Sequence, residues 1–252
     1  MGNKIAGEYY RQKDAIRLNK YISESGYCSR READRLIEAG KVQIDGKKAI
    51  CGMKVGPGQT VAIGKKVISR RDEMVALAVN KPVGIICTED KRTRNNIIRF
   101  LNYPERVTYA GRLDKDSEGL LLMTNNGDII NRIMRAENYH EKEYKVTVNK
   151  KITPEFIEKM RTGVHISDKE KGLDAITRPC TVTQIGTYKF CIVLTQGLNR
   201  QIRRMCQALG YQVTELKRIR IMNITLGNLR PGEYRKLTDA ELDGLYALIQ
   251  DS

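Results

Sequence analysis

The sequence predicts two domains of the α+β class. A small basic domain comes first, followed by a larger one built on a largely antiparallel mixed sheet flanked by helices. Three observations lead there. Charge is uneven: residues 1–73 carry 16 Lys and Arg against 9 Asp and Glu, and the rest of the chain carries 29 against 21. A polar, charged stretch, GKKVISRRDE (64–73), divides the two regions. Beyond it, strand-like and helix-like segments follow one another without a regular strand–helix alternation, which argues against a doubly wound parallel sheet.

The 252 residues carry a formal net charge of +15. A basic surface attracts phosphates and gains from release of their counterions, so the expected partner is a polyanion. No apolar run reaches the length that spans a bilayer, so no membrane association is expected. The first residues lack the apolar stretch of a secretory signal, and a cytoplasmic chain is expected. Six cysteines at 28, 51, 87, 180, 191 and 206 include no Cys-x-x-Cys pair, and there are only two histidines. A zinc site is therefore not expected, and the cysteines read as buried thiols.

The first domain reads as two short helices and a small β-structure. Leu18, Tyr21 and Ile22 have helical spacing that stops at Gly26. Ser29 and Glu32 form a capping box opening a second helix with Ala33, Leu36 and Ile37 on one face, closed by Gly40. Val42-Gln43-Ile44 alternates into Asp45-Gly46, a strong hairpin turn signal. Arg17, Lys20, Arg30, Arg31 and Arg35 gather on or around the helices. A solvated basic face is the ordinary explanation of such a run. The local charge excess, and helix N-terminal amides beside Arg30 and Arg31, favour a phosphate-binding surface. The layout of residues 17–49 and onward resembles the S4 domain, which implies binding of structured RNA over about residues 16–63.

In the larger region, Met74–Val79 and Ile85–Cys87 are apolar runs separated by the turn Lys81-Pro82-Val83-Gly84. Tyr144, Val146 and Val148 alternate as a strand, as do Phe190–Thr195 and Ile219–Leu226. Thr153-Pro154 starts a helix with proline in its tolerated first position. Leu198, Ile202, Met205, Cys206 and Leu209 share a helical face closed by Gly210. Thr238 and Glu241 form a second capping box ahead of Leu242, Leu245 and Leu248.

No Walker loop, dinucleotide fingerprint, nucleophile elbow or metalloprotease motif is present. The informative stretch is GRLDKDSEGLLLMTNNG (111–127), where Asp114 and Asp116 stand in a polar loop beside Arg112 and Lys115 before an apolar run enters the core. A carboxylate flanked by cations suits a nucleophile or base, though on spacing alone a charged turn with structural caps is the better reading.

This stretch resembles the catalytic motif of the pseudouridine synthases, in the branch that includes RsuA, RluB, RluE and RluF. NKPVGIICT (80–88), HEKEYKVTV (140–148) and LTQGLNRQIRRMCQALGY (194–211) resemble further motifs of that family, in the family's order. An N-terminal S4 domain belongs to the same branch. GLNRQIRRMC and RIRIMNI are nearest the RluF group, whose target is a uridine in the peptidyl-transferase region of large-subunit rRNA. The resemblance spans about residues 16–250 and implies a pseudouridine synthase catalytic domain over 74–252, with residues 1–15 as an extension and 64–73 as a linker.

The resemblance also implies the roles. The reaction detaches uracil from ribose, rotates it and rejoins it through carbon, without a cofactor. Asp114 would be the catalytic carboxylate. Tyr144 would lie against the uracil ring, and Arg203 would pair with Asp114. Arg112 would fill the gap left by a flipped nucleotide. Apart from the resemblance, the charge that Arg200, Lys217, Arg218 and Arg220 add around the last motif is assigned to RNA backbone contact, and Asp116, matched to no role of the family, is read as structural. The expected partner is large-subunit rRNA or an assembling large subunit, bound by a monomer. Two other readings are a non-catalytic RNA-binding assembly factor and a synthase acting on another rRNA or a tRNA stem-loop.

Overall fold

The computed structural model describes residues 15–70, 73–134 and 139–250. The extension expected over 1–15 lies outside them except for Ala15. The chain divides into two compact units. One runs to Ala76 and adds Tyr103–Thr108 and Thr124–Gly127, and the other comprises Leu77–Asn102, Tyr109–Met123 and the chain from Asp128 onward.

In the first unit, β1 (Ile16–Arg17) leads into α1 (Leu18–Glu24), and α2 (Arg30–Glu38) follows. Ser29 caps α2 by accepting from the Glu32 amide at 3.2 Å. A four-stranded sheet in the order β3-β2-β5-β6 contains β2 (Val42–Ile44), β3 (Lys47–Lys48), β5 (Val61–Ile63) and β6 (Lys66–Ile68). The remaining strand, β4 (Lys54–Val55), pairs with β1 instead. Asp45 and Gly46 both have positive φ, as the tight turn between β2 and β3 demands. The apolar faces read from the sequence meet here: Leu18, Ile22, Ala33, Ile37, Val42 and Val61 form one buried cluster. Arg17, Arg31 and Arg35 are exposed. Lys20 lies 3.7 Å from Glu24 and Arg35 lies 3.1 Å from Glu32.

The second unit is organised by one large sheet in the order β13-β14-β10-β15-β9-β7-β17. Its strands are β7 (Ala76–Lys81), β9 (Glu118–Thr124), β10 (Lys142–Val148), β13 (Thr181–Gly186), β14 (Lys189–Leu194), β15 (Val213–Ile221) and β17 (Tyr234–Lys236). Short β8 (Thr108–Ala110) joins β9, and β16 (Ile224–Thr225) joins β15. Hairpin β11 (His165–Asp168) with β12 (Leu173–Ile176) stands apart. Pairing is antiparallel along β13-β14-β10-β15 and parallel between β15 and β9.

The helices of this unit are α3 (Ile97–Leu101), α4 (Gly127–Met134), α5 (Pro154–Thr162), α6 (Gln201–Ala208) and α7 (Asp239–Gln250). Thr153 caps α5 through the Phe156 amide, with Pro154 first in the helix. Thr238 and Glu241 cap α7 reciprocally. Helices α5 and α6 contribute Phe156, Ile157, Met160, Ile202, Met205 and Cys206 to a core shared with Val146, Phe190, Ile192 and Leu216 from the sheet. Strands β7 and β9 are buried almost throughout, which explains their unbroken apolar runs. Among the described residues, no helix is long and apolar enough to cross a membrane.

Four expectations change. Ile219–Leu226 is not one strand: β15 ends at Ile221, Met222 takes φ +51, and β16 folds back so that Arg220 pairs with Thr225. Leu198 lies outside the helix it was grouped with, because Arg200 at the start of α6 has left-handed backbone. Leu248 is exposed while Tyr246 and Ile249 are buried, because the buried face of α7 runs from Leu245 to Ile249 one turn on. The cysteines are unbridged, but only Cys87 and Cys206 are buried; Cys28, Cys180 and Cys191 are half-buried and Cys51 is exposed.

Candidate active site

Asp114 lies in the loop between β8 and β9, and the sheet determines what that loop meets. Glu118 and Gly119, at the start of β9, pair with Lys217 and Arg218 of β15. Arg218 in turn stands opposite Tyr144 of β10. The parallel pairing thus carries the end of the aspartate loop to the strand pair that holds Tyr144. Gly119 makes the approach possible. A Cβ there would lie 2.2 Å from the Arg218 carbonyl oxygen, and its φ of +118° excludes ordinary side chains.

Local bonds hold the loop in shape. Ser117 N–H donates to the Asp114 carbonyl at 3.1 Å, and Gly84 N–H donates to the Lys115 carbonyl at 2.7 Å. The second bond ties the aspartate loop to the Pro82–Gly84 turn. Lys81 fastens that turn from beneath: it is fully buried, and its Nζ donates to the carbonyls of Pro82 (2.8 Å) and Ile85 (2.9 Å). Burial lowers the Lys81 pKa, with nearby Cys87, Asp114 and Asp116 opposing the shift.

The arginines of α6 close the site from the other side. Arg200 forms a bidentate pair with Asp116, Nη1 to Oδ1 at 3.0 Å and Nη2 to Oδ2 at 2.9 Å. Its Nη1 also lies 3.6 Å from Asp114 Oδ2. Arg203, three residues on in the first turn of α6, donates to the main-chain carbonyls of Asp116 (2.8 Å) and Val213 (3.2 Å). Its Nε lies 3.4 Å from Asp116 Oδ2. The ion pair at Asp114 is therefore made by Arg200, whereas the sequence reading assigned it to Arg203. Arg204 points elsewhere, to Asp168, Ser167 and Asn199, and so anchors α6 to β11. The Arg200 hydrogen bond holds the Asp116 carboxyl below the usual carboxylate range, and burial lowers the Arg203 pKa.

The other residues singled out from the sequence fall as follows. Tyr144 is half-buried and packs against the core around Val146 and Ile192. Arg112 is exposed. Three cations expected on RNA backbone are engaged internally. Arg218 is 3% exposed and donates to the carbonyls of Leu120 at 2.7 Å and Arg112 at 3.4 Å. Lys217 pairs with Glu118, and Arg220 with Glu141 and Glu143. A buried guanidinium spends its donors on the backbone it crosses, and that role leaves no mark in a one-dimensional charge count.

Lys142, two positions before Tyr144 on β10, was not singled out from the sequence. Burial, with help from Arg218, lowers its pKa to about 8. A groove of about 1050 Å³ runs beside the arginine–aspartate cluster, lined by Asp116, Glu118, Arg200, Arg203, Tyr211 and Lys217 among others. Among the described residues, no group of three or more His, Cys, Asp or Glu side chains is placed to hold a metal ion. The site offers a carboxylate beside a guanidinium, an aromatic ring on the adjoining strands, and an open groove.

Comparison with known proteins identifies the family. The RNA pseudouridylate synthase family matches residues 75–208, and the S4 domain family matches residues 16–61. The dual-specificity RNA pseudouridine synthase RluF of Escherichia coli strain K12 is 52% identical over 240 residues, covering 94% of this chain and 81% of the relative. The ribosomal large subunit pseudouridine synthase B of Bacillus subtilis strain 168 is 35% identical over 239 residues, covering 92% and 96%. A crystal structure of a pseudouridylate synthase superposes with a TM-score of 0.66 at 28% identity, covering 91% of this chain and 99% of that one. The chain belongs to the RNA pseudouridylate synthase family, as an isomerase acting on RNA with an S4 domain ahead of its catalytic domain.

Proposed function

We propose that this RNA pseudouridine synthase isomerises a uridine of large-subunit rRNA near the peptidyl-transferase centre, with Asp114 as its catalytic carboxylate. The observation that carries the assignment is the position of Asp114 in a tied loop, 3.6 Å from the guanidinium of Arg200, which itself lines the groove. The choice of large-subunit rRNA is supported by the relatives, one of which is named for the ribosomal large subunit. Action on a second RNA, such as a tRNA stem-loop, is supported by the dual specificity in the name of the RluF relative.

In the reaction the bond from uracil N1 to ribose C1′ breaks, a bond from C5 to C1′ forms, the C5 proton leaves, and N1 gains a proton. Asp114 acts at the sugar or the base. Tyr144 lies against the ring and assists loss of the C5 proton. Arg203 supports the loop through the Asp116 carbonyl. The target base is flipped from its stack, and exposed Arg112 fills the gap. The S4 domain, taken as 16–63 with 64–73 as linker to a catalytic domain over 74–252, meets RNA phosphates through Arg17, Lys20, Arg30, Arg31 and Arg35. Arg200 reaches RNA from the groove. The enzyme works as a monomer in the cytoplasm, on free rRNA or an assembling subunit.

The test is tritium release from RNA labelled at uracil C5, using large-subunit rRNA, small-subunit rRNA and tRNA transcripts. Release from the large-subunit transcript is expected. No release from any RNA with binding retained, repeated on assembling subunits, would favour a non-catalytic assembly factor.

A further inference from the structure

The sequence gives no reason to treat Asp116 as more than a loop residue, yet it is the hub of the arginine cluster. Its two carboxylate oxygens take both terminal nitrogens of Arg200, at 3.0 and 2.9 Å. Its carbonyl oxygen takes Arg203 Nη2 at 2.8 Å. Arg200, which caps α6, and Arg203, in its first turn, therefore close on one residue. Arg200 does so from a left-handed backbone, φ +50 and ψ 34, which a non-glycine residue keeps only where its surroundings hold it there.

The geometry has a consequence for Asp114. A guanidinium presents its donors as a rigid planar fork, and a fork closed on one carboxylate cannot close on another. Arg200 Nη1 approaches Asp114 Oδ2 only to 3.6 Å, an ion-pair distance but not a hydrogen bond. Asp114 thus has a cation beside it while Arg200 leaves its lone pairs uncommitted. A carboxylate that attacks carbon or removes a proton needs a lone pair, and a bidentate guanidinium would tie up both oxygens. We propose that Asp116 is a positioning residue: it tethers Arg200 so that the cation stands beside Asp114 without capping it. This inference rests on Asp114 being the catalytic carboxylate.

In Asp116→Asn the amide cannot accept at both positions, the fork opens, and Arg200 is free to close on Asp114. The experiment measures kcat and KM by tritium release from an RNA the wild type turns over. The set is Asp114→Asn, Asp116→Asn, Asp116→Glu, Arg200→Gln and the double variant Asp116→Asn with Arg200→Gln, each checked for folding by thermal melting. Asp116→Asn is expected to lower kcat about 10- to 100-fold, the scale of a lost charge-assisted pair, with KM within about twofold of wild type. Asp116→Glu, which restores the charge, is expected to recover most of kcat. Adding Arg200→Gln to Asp116→Asn is expected to raise kcat, because it removes the cation that caps Asp114. Should Asp116→Asn not fold, Asp116→Ala serves in the same comparison.

Wild-type kcat in folded Asp116→Asn would overturn the inference. So would a double variant no faster than Asp116→Asn alone, the additive outcome expected of a merely structural residue. Turnover by Asp114→Asn would instead overturn the assignment of Asp114 on which the inference rests.

Discussion

Gly119 and Arg218 face each other across the parallel pairing of β9 and β15 so closely that a Cβ on Gly119 would lie 2.2 Å from the Arg218 carbonyl oxygen and 2.5 Å from its nitrogen. Both atoms belong to backbone, which cannot swing aside. Gly119→Ala is therefore expected to destabilise the protein by about 3 kcal/mol or more, combining backbone strain with a forced separation of the strands. Gly58→Ala, also at positive φ but with open space around it, is expected to cost only about 1 kcal/mol. Thermal unfolding of the two variants checks this, and equal melting temperatures would contradict it.

The neighbouring guanidinium gives a second expectation. Arg218 donates from Nε to the Leu120 carbonyl at 2.7 Å while 3% exposed. Arg218→Met keeps the bulk but leaves that buried acceptor unpaired, at a cost of about 1–3 kcal/mol. If Arg218 worked mainly on RNA phosphates, the variant would instead melt like wild type and show a weakened salt dependence of binding. Urea unfolding beside filter binding separates the two.

Chemistry and affinity are expected to part at Asp114. Asp114→Ala removes one half-exposed carboxylate from the loop and should abolish tritium release while RNA affinity stays within about a factor of three of wild type, since phosphate contacts supply most of the binding. Single-turnover kinetics and binding on the same RNA check both halves.

Stability should respond to alkaline pH through Lys142. Its pKa is lowered to about 8 in the folded protein, against an ordinary 10.5. Between those values the unfolded chain holds a proton that the folded one has released, so stability rises with pH across that window. Below about 8 the lysine is charged in both states and its burial penalty is fully present. Lys142→Met is expected to remove this contribution to the rise, seen in urea midpoints measured from pH 7 to 10. An unchanged slope would show that the lysine is not the source.

Deleting residues 1–63 should weaken RNA binding and flatten its dependence on salt, because exposed Arg17, Arg31 and Arg35 leave with the segment. Equal slopes of log affinity against log salt for the two proteins would assign the module a different task.

Features set by neighbours along the chain were legible before any coordinates. The Ser29–Glu32 cap, the Asp45-Gly46 turn, proline at the start of α5 and the Thr238–Glu241 box each depend on residues at most a few positions apart. The four ordered motifs and the S4 layout identified the family for a related reason: a site built from short segments keeps its residue types together in sequence. Contacts between distant segments were not legible. Arg200 and Asp116 are 84 positions apart, and nothing in their spacing shows that they pair or that Arg200 rather than Arg203 stands beside Asp114. Arg218 read as a surface cation because charge along a chain does not reveal which way a strand faces. Ile219–Leu226 read as one strand because alternation continues through a hairpin whose reversal is made by a single left-handed Met222. Local propensity and motif chemistry thus determined most of the elements and the class of enzyme. The tertiary structure decided which charges meet, since ion pairing is settled by distances of a few ångströms that only the assembled sheet and α6 create.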